Sequence, residues 1–202
     1  GTTQIVYAST GKATRPYSPD IYASSKKTGE WLMAKTAAKG QILCAAGRFT
    51  HVVDDSNVRR KVNEQIDAGL PVKLQSPDVL MYIQSAYESA QLLLVSGLEA
   101  KIGEFRVQAI RNLDMPMNLA NIGLGAIVKR NARVPIYFQG VVEGYEDRAW
   151  PHLYGLENAE LSPLINAIDA DTASTATNCD DVDSFFLDIA DGVDVNRKLS
   201  EL

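Results

Sequence analysis

Hydrophobic residues in this chain form short runs that are separated by longer, mixed stretches. β-Strands are predicted from the short apolar runs at residues 4–8, 41–49, 72–74, 105–110 and 134–138. Helices are predicted from the longer stretches at residues 21–38, 57–68, 85–95 and 117–130. Because strands alternate with helices, the pattern predicts an α/β fold with parallel strand pairs.

Capping residues place two of the helix boundaries. Asp20 can cap the first helix, and Gly40 can close it in the left-handed conformation that glycine tolerates. Ser85 and Glu88, three residues apart, can form a capping box at the start of the third helix. These signals support helices at both places independently of hydrophobic spacing.

The composition changes near the end of the chain. From Asp169 onward there are nine acids and two bases, so the acidity of the whole chain is confined to this part. We expect a body over 1–165, an acidic flexible linker over 166–183, and a helical segment over 184–202 that packs its apolar cluster back on the body. The alternative is that this last segment docks another domain.

Composition and charge exclude several classes of protein. The 202 residues are 46% hydrophobic, which is enough for a real core. A net charge of −5 leaves no broad basic surface for nucleic acid, and the longest apolar runs are too short to span a membrane. Cys44 and Cys179 form no metal-ligand pattern, so we expect no metal site and a reducing, cytoplasmic setting.

Two residues on the first helix suggest acid–base chemistry. Tyr22 and Lys26 are four positions apart, so their side chains face the same way on a helix. An ammonium close to a phenol favours the phenolate. Such a tyrosine can exchange a proton with a sugar hydroxyl while a nicotinamide accepts or returns hydride. Ser9 and Thr10 end the preceding strand, where a hydroxyl can hold the same substrate oxygen.

Three stretches of sequence resemble a known family. They are Val6-Tyr-Ala-Ser-Thr-Gly-Lys-Ala-Thr-Arg-Pro, Ile21-Tyr-Ala-Ser-Ser-Lys and Gly47-Arg-Phe-Thr-His-Val-Val. Together they are similar to the extended short-chain dehydrogenases of polysaccharide biosynthesis, with the UDP-N-acetylglucosamine 4,6-dehydratase or epimerase type as the nearest group. The resemblance covers roughly residues 4 to 165 and is strongest over the first fifty.

The resemblance implies a fold, a cofactor and a set of site residues. It implies the C-terminal part of a Rossmann-type fold with a small mixed substrate-binding region, NAD or NADP as cofactor, and a nucleotide sugar as substrate. The catalytic residues that it implies are Tyr22, Lys26, Thr10 and Lys12. The cofactor contacts that it implies are Tyr22, Lys26 and Ser9. The substrate contacts that it implies are Arg48, His51 and Asn57.

The chain departs from the pattern of this family at several positions. Gly11 stands where the dehydratases have an aspartate, and elimination needs an acid there. His51 replaces an asparagine, while Leu80 and Val142 replace arginines that hold the substrate diphosphate. These changes favour epimerisation or ketoreduction over dehydration.

The dinucleotide-phosphate motif of this family is not in the sequence. The pair Gly123-Leu-Gly125 lies inside a predicted helix and has no third glycine at the required spacing. We therefore expect a C-terminal fragment whose amino-terminal dinucleotide-binding half is missing, and which is inactive alone. It would dock with that half or form a homo-oligomer.

Two other interpretations remain open. The chain could be a catalytically inactive dehydrogenase-like module for binding or assembly, which the departures at Gly11, Leu80 and Val142 favour. It could also be an unrelated α/β domain with a chance motif, in which Tyr22 and Lys26 would not border a shared cleft. The sequence does not specify the sugar.

Overall fold

The computed structural model describes residues 1–14, 21–54, 56–140, 161–170, 173–174 and 179–187. The strands are β1 Gln4–Thr10, β2 Leu43–Phe49, β3 His51–Val52, β4 Val72–Leu74, β5 Leu80–Met81, β6 Ile83–Gln84, β7 Phe105–Ile110, β8 Met117–Asn118, β9 Ile136–Phe138, β10 Ala173–Ser174 and β11 Val182–Phe186. The helices are α1 Ile21–Ala37, α2 Asn57–Asp67, α3 Ala86–Leu98, α4 Leu119–Lys129 and α5 Ala167–Ala170. A short 3-10 helix, Gly11–Thr14, follows β1 directly.

The main sheet of the described residues has the strand order β1-β2-β7-β11-β10. Strand β2 pairs in parallel with both β1 and β7, whereas β11 runs antiparallel to β7 and to β10. The mixed α/β architecture with a parallel sheet, as predicted, is confirmed. Because β1 and β2 are parallel and in register, they end together at Thr10 and Phe49, and the residues that follow them are neighbours.

Helices cover both faces of this sheet. Successive strand residues point to opposite faces, and Arg48 bonds Glu30 of α1 while Gly47 lies against Leu92 of α3. Alanines on β2 and α1 allow the helix to approach closely, and Phe105, Val107 and Phe185 fill the core beside them. Fully burying a side chain such as Phe185 contributes roughly 1.5–3 kcal/mol.

A second, smaller core lies around α2 and α4. The parallel pair β4–β9 packs against both helices, with Val72 and Leu74 buried in this core. A Cβ on Gly123 would lie 2.9 Å from Leu74 Cδ1, so this glycine allows α4 to approach β4. Gly123 lies inside a helix, as predicted, and the contact gives it a packing role there.

Most predicted elements occur within a few residues of their predicted bounds. Gly40 has φ +67° just after α1, and Ser85 with Glu88 forms the predicted capping box on α3. The fourth helix begins later than predicted because Asn118 caps it, with its side chain accepting a hydrogen bond from Ala120 N. Strand β8 pairs with β5 at that point, and hydrophobic spacing alone does not reveal such a pairing.

Residues 182–186 differ from the prediction. They form β11, whereas the sequence predicted the end of an acidic linker and the start of a helix. Asp183 and Phe185 are fully buried, because β7 supplies the partner strand and Arg111 pairs with the carboxylate of Asp183 at 2.8 Å. Acidic composition was a poor guide to this segment, since the partly exposed Arg111 compensates the buried charge of Asp183. The proposed domain division as a whole stays a prediction.

Candidate active site

The candidate site lies where β1 and β2 end and α1 begins. Ser9 and Thr10 close β1, and the 3-10 helix continues the chain past the edge of the sheet. In open α/β sheets, ligands bind outside the carboxyl ends of parallel strands. The fold therefore places the predicted residues at the edge where such sheets bind their ligands.

Tyr22 and Lys26 lie on one side of α1, as their spacing predicts. The Lys26 ammonium is 5.8 Å from the centre of the Tyr22 ring and donates a hydrogen bond to Ala8 O at 2.8 Å. Tyr22 is 52% exposed, so a ligand can reach its ring. The two groups therefore lie close together, while their bordering a shared cleft stays a prediction.

Lys12 approaches the same tyrosine from the 3-10 helix. Its ammonium lies 5.9 Å from the centre of the Tyr22 ring. Its backbone N–H donates to Thr10 Oγ1 at 3.4 Å, which links it to the end of β1. Two ammonium groups are thus within cation–π range of one phenol. The structure thus brings together Tyr22, Lys26 and Lys12, and the buried Thr10 hydroxyl bonds the backbone of Lys12.

Tyr7 is part of this site, although it was not among the predicted site residues. The Lys26 ammonium lies 5.2 Å from the centre of the Tyr7 ring, and the Tyr7 hydroxyl donates to Lys26 O at 3.5 Å. Gly29 makes room for this ring, because a Cβ there would overlap the Tyr7 hydroxyl. Burial raises the pKa of Tyr7, with smaller contributions from Glu30 and Tyr22. The signal in the sequence is Gly29 itself, a glycine inside a helix.

Ser9 and Arg48 occupy a buried ion-pair network. The Arg48 guanidinium is 2% exposed and binds Glu30 through Nε at 2.9 Å and through its NH2 group at 2.8 Å. It also donates to Asp169 Oδ2 at 2.6 Å, and Ser9 Oγ donates to Glu30 Oε1 at 2.6 Å. Burial alone would lower the pKa of Arg48, but the two carboxylates raise it on balance. A guanidinium so enclosed holds the fold together, and its burial argues against the predicted contact with substrate.

His51 and Asn57 lie beyond the end of β2. His51 belongs to β3, where its N–H donates to Tyr82 O at 3.3 Å, and burial lowers the pKa of its imidazole. Asn57 begins α2, and its side chain accepts a hydrogen bond from Arg60 at 3.1 Å. Leu80 packs against the main core. Contact of these residues with substrate stays a prediction, and Val142 lies outside the described residues.

This combination of a parallel sheet, covering helices and a Tyr–Lys pair at the strand ends defines a Rossmann-type protein. The family described as "Polysaccharide biosynthesis protein" matches residues 1–146. The chain belongs to this family. No curated protein sequence matches it significantly.

Solved structures with the same fold include nucleotide-sugar epimerases. Pen from Bacillus thuringiensis is 17% identical, with 91% of this chain and 52% of Pen covered and a TM-score of 0.69. The UDP-N-acetylglucosamine 4-epimerase from Methanobrevibacter ruminantium is 14% identical, with coverages of 73% and 53% and a TM-score of 0.58. The UDP-glucose 4-epimerase from Thermus thermophilus, solved with NAD, is 14% identical, with coverages of 80% and 63% and a TM-score of 0.54.

These comparisons confirm the predicted likeness to Rossmann-type nucleotide-sugar epimerases. The narrower resemblance to 4,6-dehydratases stays a prediction. The chain spans about half the length of Pen and of the Methanobrevibacter ruminantium epimerase. Among the described residues, no helix combines the length and the apolar character that crossing a membrane requires.

Proposed function

We propose that this chain carries the acid–base residues of an NAD-dependent nucleotide-sugar epimerase or ketoreductase. The observation that carries the proposal is the half-exposed Tyr22 phenol beside the Lys26 ammonium, at the carboxyl end of parallel strands. Membership in a polysaccharide-biosynthesis family and the fold of UDP-sugar epimerases support this assignment.

Each residue of the site has a distinct role in this proposal. Tyr22 takes the proton from a sugar hydroxyl and gives it back in the reverse step. A bound nicotinamide supplies the acceptor and donor of hydride. The Lys26 ammonium stabilises the phenolate, and the Thr10 hydroxyl holds the reacting oxygen of the substrate. Lys12 adds a second positive charge beside the phenol.

The residues present fit the ribose side of a dinucleotide. An ammonium has three N–H donors, and the one that Ala8 O accepts fixes the group at the strand end. Tyr22 beside it, and Thr10 at the end of β1, carry hydroxyl groups that can join it in binding a ribose. The sequence contains no Gly-x-Gly-x-x-Gly, so the diphosphate would be held by a segment other than these 202 residues.

Gly11 supports epimerisation or ketoreduction over dehydration. Elimination of a sugar hydroxyl requires an acid, and glycine supplies none. A Cβ at Gly11 would lie 2.6 Å from Leu164 Cδ2, so an aspartate there would require the buried Leu164 side chain to move. Proton exchange at Tyr22 coupled to hydride transfer requires no such acid.

A catalytically inactive binding module is the second candidate. It is favoured by the enclosure of Arg48 and Ser9, two predicted ligand contacts, within a buried network. In this case the Tyr22–Lys26 contact would serve only packing. The two candidates differ in whether the Tyr22 hydroxyl is needed for turnover.

Turnover by the whole protein separates them. Wild type and Tyr22→Phe are compared with NAD and either UDP-glucose or UDP-N-acetylglucosamine, and epimerised sugar is measured by chromatography. We expect Tyr22→Phe to lose roughly 10²–10⁴-fold in kcat. Tyr87→Phe, which alters an exposed tyrosine on the opposite side of the sheet, is the control and keeps wild-type turnover. Equal turnover by wild type and Tyr22→Phe would eliminate the enzyme proposal.

A further inference from the structure

We propose that residues 161–170 position the 3-10 helix that carries Lys12 over Tyr22. We call residues 161–170 the positioning segment. The importance of Lys12 rests on the proposed function, but the positioning itself is a claim about contacts in this chain. The segment is about 150 residues distant in sequence from Lys12, and it contacts both ends of the 3-10 helix.

The first contact is between Leu164 and Gly11. Leu164 is fully buried, and its Cδ2 lies 2.6 Å from where a Cβ of residue 11 would stand. Its side chain therefore fills the space that a side chain at position 11 would need. This packing fixes the start of the 3-10 helix, one residue before Lys12.

The second contact holds the other end of the 3-10 helix. Asn166 Nδ2 donates a hydrogen bond to Thr14 O at 2.9 Å, and Thr14 Oγ1 donates to Gly11 O at 2.7 Å. Gly11 and Ala13 on either side of Lys12 are buried, and so is Thr14, while Lys12 itself is only half-buried. The flanking residues are thus fixed, and the Lys12 side chain extends toward the Tyr22 ring.

The positioning segment is itself attached to the residues that hold α1. One amino group of Arg48 donates to Leu164 O at 3.1 Å and to Asp169 Oδ2 at 2.6 Å. The same guanidinium binds Glu30, which lies one helical turn after Lys26. Arg48 therefore holds both α1, which carries Tyr22 and Lys26, and the positioning segment, which packs on the 3-10 helix of Lys12. This shared attachment keeps the three side chains in a constant arrangement.

Lysine reactivity tests this proposal on the chain itself. Amines are labelled briefly with an acylating reagent, and labelling of each lysine is measured by peptide mass spectrometry. Loss of the Leu164 side chain frees the 3-10 helix to open locally, so Leu164→Ala should raise Lys12 labelling by about threefold or more. Labelling of Lys39, an exposed lysine beyond α1, should not change.

Leu92→Ala is the matched control. Leu92 is as deeply buried as Leu164 but lies on α3, against the opposite face of the sheet. It should leave Lys12 labelling at the wild-type level although the chain is destabilised. If Leu92→Ala raises Lys12 labelling as much as Leu164→Ala does, the effect is general loosening and the proposal is wrong.

A second variant covers the case in which Leu164→Ala does not fold. Asn166→Asp keeps the side-chain oxygen that accepts from Asp169 N at 2.8 Å, but it removes the donor to Thr14 O. We expect the same rise in Lys12 labelling, and unchanged labelling would overturn the proposal. Because no turnover is measured, these outcomes are independent of whether Tyr22 proves to be catalytic.

Discussion

Tyr7 shows how a residue with no predicted role shapes the candidate site. Its ring lies against the Lys26 ammonium, and its hydroxyl reaches the backbone of α1. Alternation along β1 places Tyr7 and Ser9 on the same face of the sheet, where α1 packs. The strand predicted from the sequence implies that Tyr7 and Ser9 share a face. It does not predict which residues of α1 their side chains contact.

The raised pKa of Tyr7 predicts a change in stability at high pH. Burial favours the neutral phenol, so the folded chain keeps this proton where the unfolded chain loses it. The contribution is present below the unfolded pKa of about 10 and is lost as pH rises through the folded value. Urea unfolding should therefore show a larger loss of stability above about pH 10 for wild type than for Tyr7→Phe. Equal losses would contradict this account.

Helix α1 brings most of the candidate site to one face. Tyr22, Lys26 and Glu30 follow each other at four-residue steps, so the helical period aligns them. Tyr22 and Lys26 face the open end of the sheet, whereas Glu30 is buried with Arg48. The spacing of Tyr22 and Lys26 was therefore sufficient to predict their shared side. It was not sufficient to predict the buried role of Arg48, which depends on a carboxylate from a different element.

Alanine substitution of two helix glycines tests the packing of α1 on β1. In a helix interior, Gly→Ala usually stabilises by about 0.5–1 kcal/mol. Gly125 of α4 has open space around its Cβ position, so Gly125→Ala should gain about that amount. Gly29→Ala should instead lower the free energy of unfolding, because the new methyl group overlaps the Tyr7 ring. Urea unfolding measures both, and a gain of stability at Gly29 would show that Tyr7 does not pack there.

The buried network around Arg48 joins distant parts of the molecule. It connects α1, β2 and the positioning segment through Glu30 and Asp169, which are separated by more than half of the chain. Phe185 of β11 stacks on the guanidinium at 4.6 Å, so the antiparallel end of the sheet takes part as well. Burial and the nearby Arg48 charge lower the pKa of Lys27 beside this network. The Arg48 guanidinium thus connects the candidate site to the positioning segment and to β11.

Removing this cation should destabilise the whole fold. Arg48→Met leaves two buried carboxylates without their partner, which costs about 3–5 kcal/mol. Arg106→Met, on the neighbouring strand, removes a partly exposed pair with Glu104 and should cost about 0–1 kcal/mol. Chemical unfolding of the two variants gives the difference directly. Similar costs for both variants would mean that the Arg48 network contributes little to stability.

Local patterns in the sequence were sufficient to predict most of the elements and the pair at the centre of the site. Hydrophobic spacing, capping residues and the four-residue spacing of Tyr22 and Lys26 are local signals. They therefore predicted the α/β pattern, the capping box at Ser85 and the common side of Tyr22 and Lys26. Three features became apparent only in the folded chain: the strand at 182–186, the enclosure of Arg48 and the Leu164 side chain beside Gly11. These features depend on partners far away in sequence, and local patterns carry no information about which distant residues will meet.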